Sequence, residues 1–430
     1  MPADEEFIPA KPTGWVRALC RVTLPVTLPR IFQLNHIDYD PADLETLKSL
    51  KGERVMLTPN HPSHADPAVL FHLSTRVEQN FSYLACVEAF EKHGGLQGWL
   101  IQRVGAYSVV RGTVDRASFR TTRETLVTPG SKLVVFPEGE VYSQNDSLMP
   151  FQSGTFQLAY WALDDLRKAG QADAPLYVLP LALKYVYTRD MRPAMLRSVE
   201  SLERTMGIEP AADGGAQPLH QRVRQVGAAM LRALEREYRL PSPRGESAHP
   251  EDDLTPRLNS VKEEVLRRVS MAAGVPLPGG GGSVLERLHV LLHAVDAVTH
   301  EPPDDGTPYD RRLREYQRER SVPLLRDLDR LTNFIAIYDG YVREHPTQER
   351  MAETIIRLER ECYGKERLAG PRRCRVQIGE PIDLRERYPA YQQDKRGEVA
   401  ALTAAVRAAV LALLTEAQRD LGQEAAATVL

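Results

Sequence analysis

The first 190 residues alternate between short apolar runs of strand character and segments of helical character, and this alternation constrains the fold more than any other feature. The strand-like runs are 55–57, 105–111, 132–136 and 176–183. A helical pattern at 114–127 and the turn formers Pro129-Gly130 separate two of these runs, and another helix is expected to open near 151–156. Short apolar runs bounded by turn formers are typical of buried strands. The pattern therefore predicts strands linked by helices.

The first strand-like run ends at Pro59-Asn60 and leads to His61 and, five residues later, Asp66. Pro62 suits the first position of a helix, where its missing N–H would be unpaired in any case, so we expect a strand-to-helix turn here. A His at the cap and an Asp one turn into the helix can lie on the same side. The carboxylate would then hold one imidazole nitrogen while the other faces a substrate proton. The pattern predicts a general base with its orienting carboxylate, and no Ser or Cys nucleophile stands beside it.

The His-x4-Asp spacing is weak evidence by itself, because a chain with eleven His residues contains on the order of one such pair by chance. A second copy, His300 and Asp305, lies in a Pro-rich turn after a helical pattern. No strand pattern precedes this copy, so we assign it no function. The segments that follow His61 are what distinguish it.

Four segments, in order along the chain, resemble the sequence blocks of the glycerolipid acyltransferase family, which is typified by bacterial 1-acylglycerol-3-phosphate acyltransferase. His61 and Asp66 match the HX4D block, 105–111 matches the second block, Phe136-Pro137-Glu138-Gly139 matches the third, and 178–181 matches the fourth. Four linked blocks are far more specific than one. The resemblance implies an α/β fold with a mixed central sheet flanked by helices.

In that family the His is a general base that removes a proton from a hydroxyl of a lysolipid. The oxygen then attacks the thioester carbonyl of acyl-CoA or acyl-carrier protein. The resemblance implies that His61 is the base and that Asp66 fixes its tautomer. Backbone N–H groups after His61 would stabilise the oxyanion of the tetrahedral intermediate. No cofactor is implied beyond the acyl-CoA or acyl-carrier protein, which serves as co-substrate.

The second and third blocks imply the acceptor site. Arg111 would hold the phosphate of an acceptor such as 1-acylglycerol-3-phosphate by paired hydrogen bonds, which a planar guanidinium makes better than Lys. Pro137, Glu138 and Gly139 would shape the same site. The alternative is that Arg111 and Glu138 are buried structural ions, paired with each other or with other groups.

The third block departs from the family pattern after Gly139. The family usually continues with Thr-Arg-Ser, whereas this chain continues with Glu140-Val141-Tyr142-Ser143. An apolar residue therefore replaces a cation that assists phosphate binding. Either Arg111 binds the phosphate with help from another cation such as Arg116 or Lys184, or the acceptor is a less anionic lysolipid or another lipid hydroxyl.

A metal site is the competing interpretation of the first block, because His64 stands between His61 and Asp66. The spacing differs by one residue from the H-x-H-x-D-H run of metallo-hydrolases, and Pro67 replaces the last His. The other His residues form no second ligand set. We therefore predict no metal, and interpret His64 as a residue that supports the turn or lies on its surface.

Composition limits the partners and the compartment. The formal net charge of -3 gives no broad basic field, so nucleic acid is excluded as a partner. Four scattered Cys residues form no CxxC pair, which fits a reducing compartment. The acidic start is unlike the cationic start of a signal peptide. We expect a cytoplasmic protein that is peripheral at the membrane surface.

The region 1–37 is interpreted as an N-terminal arm. No acidic residue occurs in 7–37, where Lys11, Arg17, Arg21 and Arg30 alternate with aromatic and aliphatic residues. This composition suits contact with a membrane interface, and the alternative is an arm that only packs on the catalytic domain. Pro residues at 25 and 29 are expected to limit any helix to the first half of the segment.

The remaining chain divides by pattern. We assign 38–190 to the motif-bearing part of an acyltransferase domain, 191–371 to a large helical insertion, and 372–430 to the closing strand and helix of the same domain. The helical patterns within the insertion are 221–238, 253–273, 283–300, 310–342 and 348–363. The alternative is a contiguous catalytic domain followed by an independent helical one. The insertion would cover an acyl tunnel, bind a carrier protein or mediate self-association.

Two functions follow from these patterns. The first is a lipid O-acyltransferase with His61 as its base. The second is a catalytically silent, membrane-associated binding or scaffold protein on the same fold, suggested by the missing Arg in the third block. His61, Asp66, Arg111 and Glu138 favour the enzyme, because a silent copy has no reason to retain all four.

Overall fold

The computed structural model describes residues 7–91, 95–110, 115–209, 217–241, 253–277, 283–299, 307–335, 337–344 and 347–429. These residues form two compact units. The first unit contains the described parts of 1–110, 114–188 and 371–430. The second contains the described part of 189–370.

The first unit contains one sheet with eight strands in the described part of the chain. They are β1 (Leu34–Tyr39), β2 (Arg54–Pro59), β3 (Ser82–Cys86), β4 (Ala106–Val109), β5 (Lys132–Val134), β6 (Leu176–Tyr187), β7 (Arg372–Ile378) and β8 (Ile382–Asp383). Their order is β1-β7-β6-β2-β5-β3-β4, with β8 paired to β6. Strands β2 to β6 run parallel, whereas β7 is antiparallel to β6 and parallel to β1. The predicted mixed sheet is confirmed.

Helices make up most of the remaining described chain. In chain order they are α1 (Gly14–Ile31), α2 (Pro41–Ser49), α3 (Asp66–Arg76), α4 (Glu88–Glu91), α5 (Leu96–Val104), α6 (Arg116–Val127), α7 (Ser153–Lys168), α8 (Arg192–Met206), α9 (Leu219–Glu237), α10 (Thr255–Ala273), α11 (Val284–Thr299), α12 (Pro308–Phe334), α13 (Tyr341–Glu344), α14 (Gln348–Tyr363), α15 (Leu384–Gln393) and α16 (Lys395–Val429). Helices α8 to α14 belong to the second unit.

The sheet separates two hydrophobic cores. Val55 and Leu57 of β2 enter one core with residues of α1, α2 and α3, whereas Met56 between them enters the other with residues of α6, α7, α15 and α16. This alternation follows from the two-residue period of a strand. Every residue of β2 is buried because helices cover both faces of the sheet.

Helix α1 extends through Pro25 and Pro29, so the expectation that these residues limit the helix to its first half is wrong. Each interior Pro costs ~3 kcal/mol in helix stability. The helix nevertheless buries Val16, Leu24 and Leu28, and each buried aliphatic side chain contributes ~1.5–3 kcal/mol. Tertiary packing therefore offsets the lost hydrogen bonds.

The C-terminal helix has the composition of a membrane span but also a packed face. Lys395–Leu421 is the one helical segment of the described chain that is long and apolar enough to cross a bilayer. Leu402, Val406 and Val410 along it are fully buried in the second core of the sheet unit. These side chains lie three or four positions apart, as expected for a helix that packs on a sheet.

The second unit is entirely helical in its described residues. Helix α8 was not predicted, and α12 ends at Phe334 although the pattern suggested helix as far as 342. The buried ammonium of Lys262 donates to the carbonyls of Ile335 (3.0 Å) and Ile337 (3.3 Å), which follow the end of α12. These carbonyls are satisfied by a side chain from α10, which explains why the chain can leave the helix there.

Candidate active site

His61 and Asp66 lie together at the carboxyl end of β2. The Nδ1 atom of His61 is 2.7 Å from Oδ2 of Asp66. The carboxylate is fully buried, whereas 14% of the imidazole side chain is exposed. Helix α3 begins at Asp66, so the prediction of a helix starting at Pro62 is wrong. Pro67 occupies the first turn of α3 instead, and the loop before it lets His61 fold back onto the carboxylate.

Asp66 accepts hydrogen bonds from three donors. In addition to His61, the backbone N–H of Ser63 donates to Oδ2 (2.9 Å) and the hydroxyl of Tyr185 donates to Oδ1 (2.5 Å). Burial, followed by the nearby charge of Asp66, raises the pKa of Tyr185 well above its usual value. The phenol therefore stays protonated and acts as a donor. With both oxygens engaged, the carboxylate has a fixed orientation.

The contacts of His61 define its chemistry. Since Asp66 accepts at Nδ1, the other ring nitrogen, Nε2, carries the lone pair of a neutral imidazole. Nε2 forms no hydrogen bond with any residue in the described part of the chain. The imidazole stacks on the ring of Phe136, with centroids 3.8 Å apart and an interplanar angle of 16°. The ring is thus held on one face and at one edge, and Nε2 is positioned as a proton acceptor.

Two Asn side chains, which sequence reasoning missed, hold the strand that carries Tyr185. Beyond the end of β2, the side chain of Asn60 pairs with the N–H (2.7 Å) and carbonyl (3.1 Å) of Leu183. Asn145 pairs in the same manner with the N–H (2.7 Å) and carbonyl (2.5 Å) of Tyr185. The two amides thus replace a neighbouring strand along β6. This arrangement fixes the backbone from which Tyr185 reaches Asp66.

The segment after β5 meets the segment after β2, because adjacent parallel strands end at the same edge of the sheet. Glu138 is buried, and its carboxylate accepts from the backbone N–H of His61 (2.8 Å) and of Met149 (3.0 Å). Burial raises its pKa to about 7, although these two hydrogen bonds oppose the shift. Glu138 therefore braces the backbone of the proposed base.

Pro137 and Gly139 shape this loop. The carbonyl of Pro137 accepts from the backbone N–H of Gln152 (2.7 Å). Gly139 has a φ of +77°, and a Cβ atom at this position would lie 2.1 Å from Nε2 of Gln152. The positive φ disfavours any side chain here, and the amide of Gln152 would have to move to make room for one. The predicted acceptor-site roles of Pro137, Glu138 and Gly139 stay predictions.

The structure describes only some of the other residues that were considered from the sequence. Arg111 lies outside the described residues, as do His300 and Asp305. Lys184 is buried and pairs with the buried carboxylate of Asp146, so the suggestion that it assists with a substrate phosphate is not supported by its surroundings.

The residues near His61 do not form a metal cluster within the described ranges. His64 is exposed. Arg116, the second cation considered as a phosphate ligand, is the first residue of α6 and is also exposed.

Comparison with known families agrees with this geometry. Residues 41–184 match the family model described as Acyltransferase. The matched region contains β2 to β5 and most of β6, and it includes His61, Asp66 and Glu138. Residues 41–184 therefore carry the features of an acyltransferase domain. No curated protein matches the chain.

Proposed function

We propose that the protein transfers a fatty acyl group from a thioester, acyl-CoA or acyl-carrier protein, to a hydroxyl of a lysophospholipid such as 1-acylglycerol-3-phosphate. The observation that carries the proposal is the His61–Asp66 pair, whose Nε2 stays open at the carboxyl edge of the sheet. A positioned general base of this kind typically contributes ~10²–10⁴ in rate.

The proposed reaction proceeds by direct attack. Nε2 of His61 takes the proton of the acceptor hydroxyl while its oxygen attacks the thioester carbonyl carbon. The tetrahedral intermediate collapses with cleavage of the carbon–sulfur bond, and the imidazolium returns the proton to the thiolate. An alcohol and a thioester thus become an ester and a free thiol. Asp66 stabilises the imidazolium, and no other cofactor is required.

The test measures release of free thiol from acyl-CoA and from acyl-carrier protein, each with a panel of lysolipids. We expect release that depends on an acceptor, falls ~10²–10⁴-fold in His61→Ala, and persists with a chelator present. His64→Ala is the matched control, because this exposed residue belongs to the same turn and lies outside the proposed mechanism.

Two results would reject the proposal: no acceptor-dependent release, or release that His61→Ala leaves unchanged. The first would favour the silent binding or scaffold protein. The panel should include acceptors with and without a phosphate monoester, because Val141 replaces the family Arg and Lys184 is engaged by Asp146. A preference for acceptors without a phosphate would indicate that the natural acceptor is a less anionic lysolipid or another lipid hydroxyl.

We also propose that the protein docks on a membrane through α1 and α5. Trp15, Leu19, Val22 and Val26 form an exposed apolar stripe on α1, and Leu96, Trp99 and Leu100 are exposed on α5. The rings of Trp15 and Trp99 lie 6.3 Å apart, and the guanidinium of Arg103 lies 4.3 Å above Trp99. Neither helix contains an acidic residue. Aromatic and aliphatic side chains bordered by cations suit an anionic lipid interface.

Cosedimentation with vesicles containing anionic lipid tests this docking surface. The double variant Trp15→Ala/Trp99→Ala should lose most of its vesicle binding. Trp161→Ala, which removes a similarly exposed tryptophan of α7, should bind as the unmodified protein does. Equal binding by all three proteins would exclude this surface.

A further inference from the structure

Several arginines of the helical unit are paired with carboxylates. Four of these pairs have nitrogen–oxygen distances of 2.6 to 2.8 Å: Arg222 with Glu203, Arg224 with Asp339, Arg257 with Glu235, and Arg330 with Glu361. Such pairing neutralises the guanidinium charges and satisfies their donors. An arginine without such a partner keeps donors that a bound anion could accept.

Three arginines of this unit line one cavity. Arg189, Arg197 and Arg367 surround a volume of about 280 Å³ together with Ser198 and Ser201. Within the described part of the chain, none of the three forms an ion pair. All three are exposed. The cavity therefore concentrates guanidinium donors that the protein itself does not use.

The one carboxylate in the cavity lining is already engaged. Glu359 is buried and accepts from the backbone N–H groups of Arg367 (2.7 Å) and Leu368 (2.8 Å). These hydrogen bonds hold the segment that carries Arg367. The carboxylate therefore orders the wall of the cavity and does not pair with a guanidinium.

The position of Arg367 is fixed from a second side. Its guanidinium lies 3.5 Å from the centroid of the Tyr363 ring, a cation–π contact that leaves the N–H edges available. The hydroxyl of Tyr363 bonds to the hydroxyl of Ser201 (3.0 Å), which also lines the cavity. Stacking thus orders the cation without satisfying its donors.

We propose that this cavity binds a phosphate-bearing small molecule. Three guanidinium groups around one small volume provide the charge and the paired donors that a phosphate accepts, and Ser198 and Ser201 add hydroxyl donors. The volume is just below the ~300–1,000 Å³ of pockets for drug-sized ligands, so it suits one or two phosphate groups with part of the attached alcohol. The site does not depend on His61 or on the proposed acyl transfer.

Calorimetric titration of the full-length protein with pyrophosphate at low ionic strength tests the site. We expect saturable binding that weakens at least tenfold in Arg197→Glu/Arg367→Glu. Arg192→Glu is the matched control, because Arg192 is an exposed residue of the same helix, α8, outside the cavity lining. It should bind as the unmodified protein does. If the double variant does not fold, Arg189→Gln and Arg197→Gln remove single charges from exposed positions.

Further titrations identify the source of the phosphate and separate this proposal from acyl transfer. Displacement of pyrophosphate by coenzyme A would assign the site to the thioester donor, and displacement by glycerol 3-phosphate to the acceptor. His61→Ala should bind pyrophosphate normally even where thiol release is lost. The proposal is overturned if pyrophosphate does not bind, if the cavity variants retain full affinity, or if chloride displaces pyrophosphate at equal concentration.

Discussion

The hydrogen bond from Tyr185 to Asp66 leads to a sharp prediction for Tyr185→Phe. The substitution removes one hydroxyl from a buried site and leaves Oδ1 of Asp66, a fully buried atom, without that donor. A hydrogen bond to a charged group is worth ~1.5–3 kcal/mol. If this whole amount is lost from the transition state, kcat falls by about 10- to 150-fold, since 1.4 kcal/mol corresponds to a factor of about ten.

The matched control is Tyr160→Phe. Tyr160 is also fully buried in the same unit, and its hydroxyl donates to the carboxylate of Glu398 (2.8 Å). Both substitutions remove one phenol–carboxylate hydrogen bond, so we expect each to lower the free energy of unfolding by ~1–3 kcal/mol. Tyr160 contacts α16 instead of the proposed base, so Tyr160→Phe should retain the kcat of the unmodified enzyme.

Urea unfolding and steady-state thiol release measure the two effects separately. Tyr185 lies behind Asp66, as seen from the reacting nitrogen of His61, so Tyr185→Phe should lower kcat and leave KM nearly unchanged. Equal values of kcat for the two variants would refute the positioning role of Tyr185. A rise in KM at constant kcat would do the same, because it would indicate a role in substrate binding.

Two further predictions concern the loop after β5. The pKa of Glu138 is about 7, above its usual value of 4.5, so its contribution to stability is fully present below pH 4.5 and is lost as the pH rises through 7. Between pH 4.5 and 8, the free energy of unfolding of the unmodified protein should fall by up to roughly 3 kcal/mol relative to that of Glu138→Gln. Urea unfolding measures this difference, and a difference that does not change with pH would contradict the prediction. Gly139→Ala should lower the free energy of unfolding by more than ~1 kcal/mol because of its positive φ and the contact with Gln152. Gly154→Ala, where a Cβ meets nothing within 4 Å, should change it by less than about 1 kcal/mol in either direction, and equal losses in the two variants would argue against a special role for Gly139.

The class of fold and the family could be predicted from the sequence because both depend on local patterns. Buried strands such as β2 and β5 contain short apolar runs, and the family blocks come soon after them. Local rules were less reliable at boundaries. Pro62 and Pro67 both suit the first turn of a helix. The helix begins at Asp66, with Pro67 in its first turn, because Asp66 is held there by tertiary contacts.

The hydrogen bonds that hold Asp66 and β6 in place could not be predicted from the sequence, because they join residues that are far apart in the chain. Tyr185 lies 119 positions from Asp66, and Asn60 lies 123 positions from Leu183. Asn60 was interpreted only as a break after the strand, and the predicted strand ended at 183, whereas β6 continues to Tyr187. Continuing the apolar pattern of β6 would have included Tyr185, but no local signal indicates the partner of its hydroxyl.

The order of strands in the sheet has a consequence for synthesis on the ribosome. In the described chain, β1 pairs only with β7, and β7 also covers the edge of β6 opposite β2. Roughly 330 residues separate β1 from β7, so at ~5–20 residues per second β1 waits on the order of 20 to 70 seconds for its partner. Cys374 of β7 pairs with Tyr185 in the ladder. The nascent chain therefore exposes an unpaired strand edge beside its proposed catalytic dyad, and we expect it to need chaperone protection and to remain inactive until β7 is made.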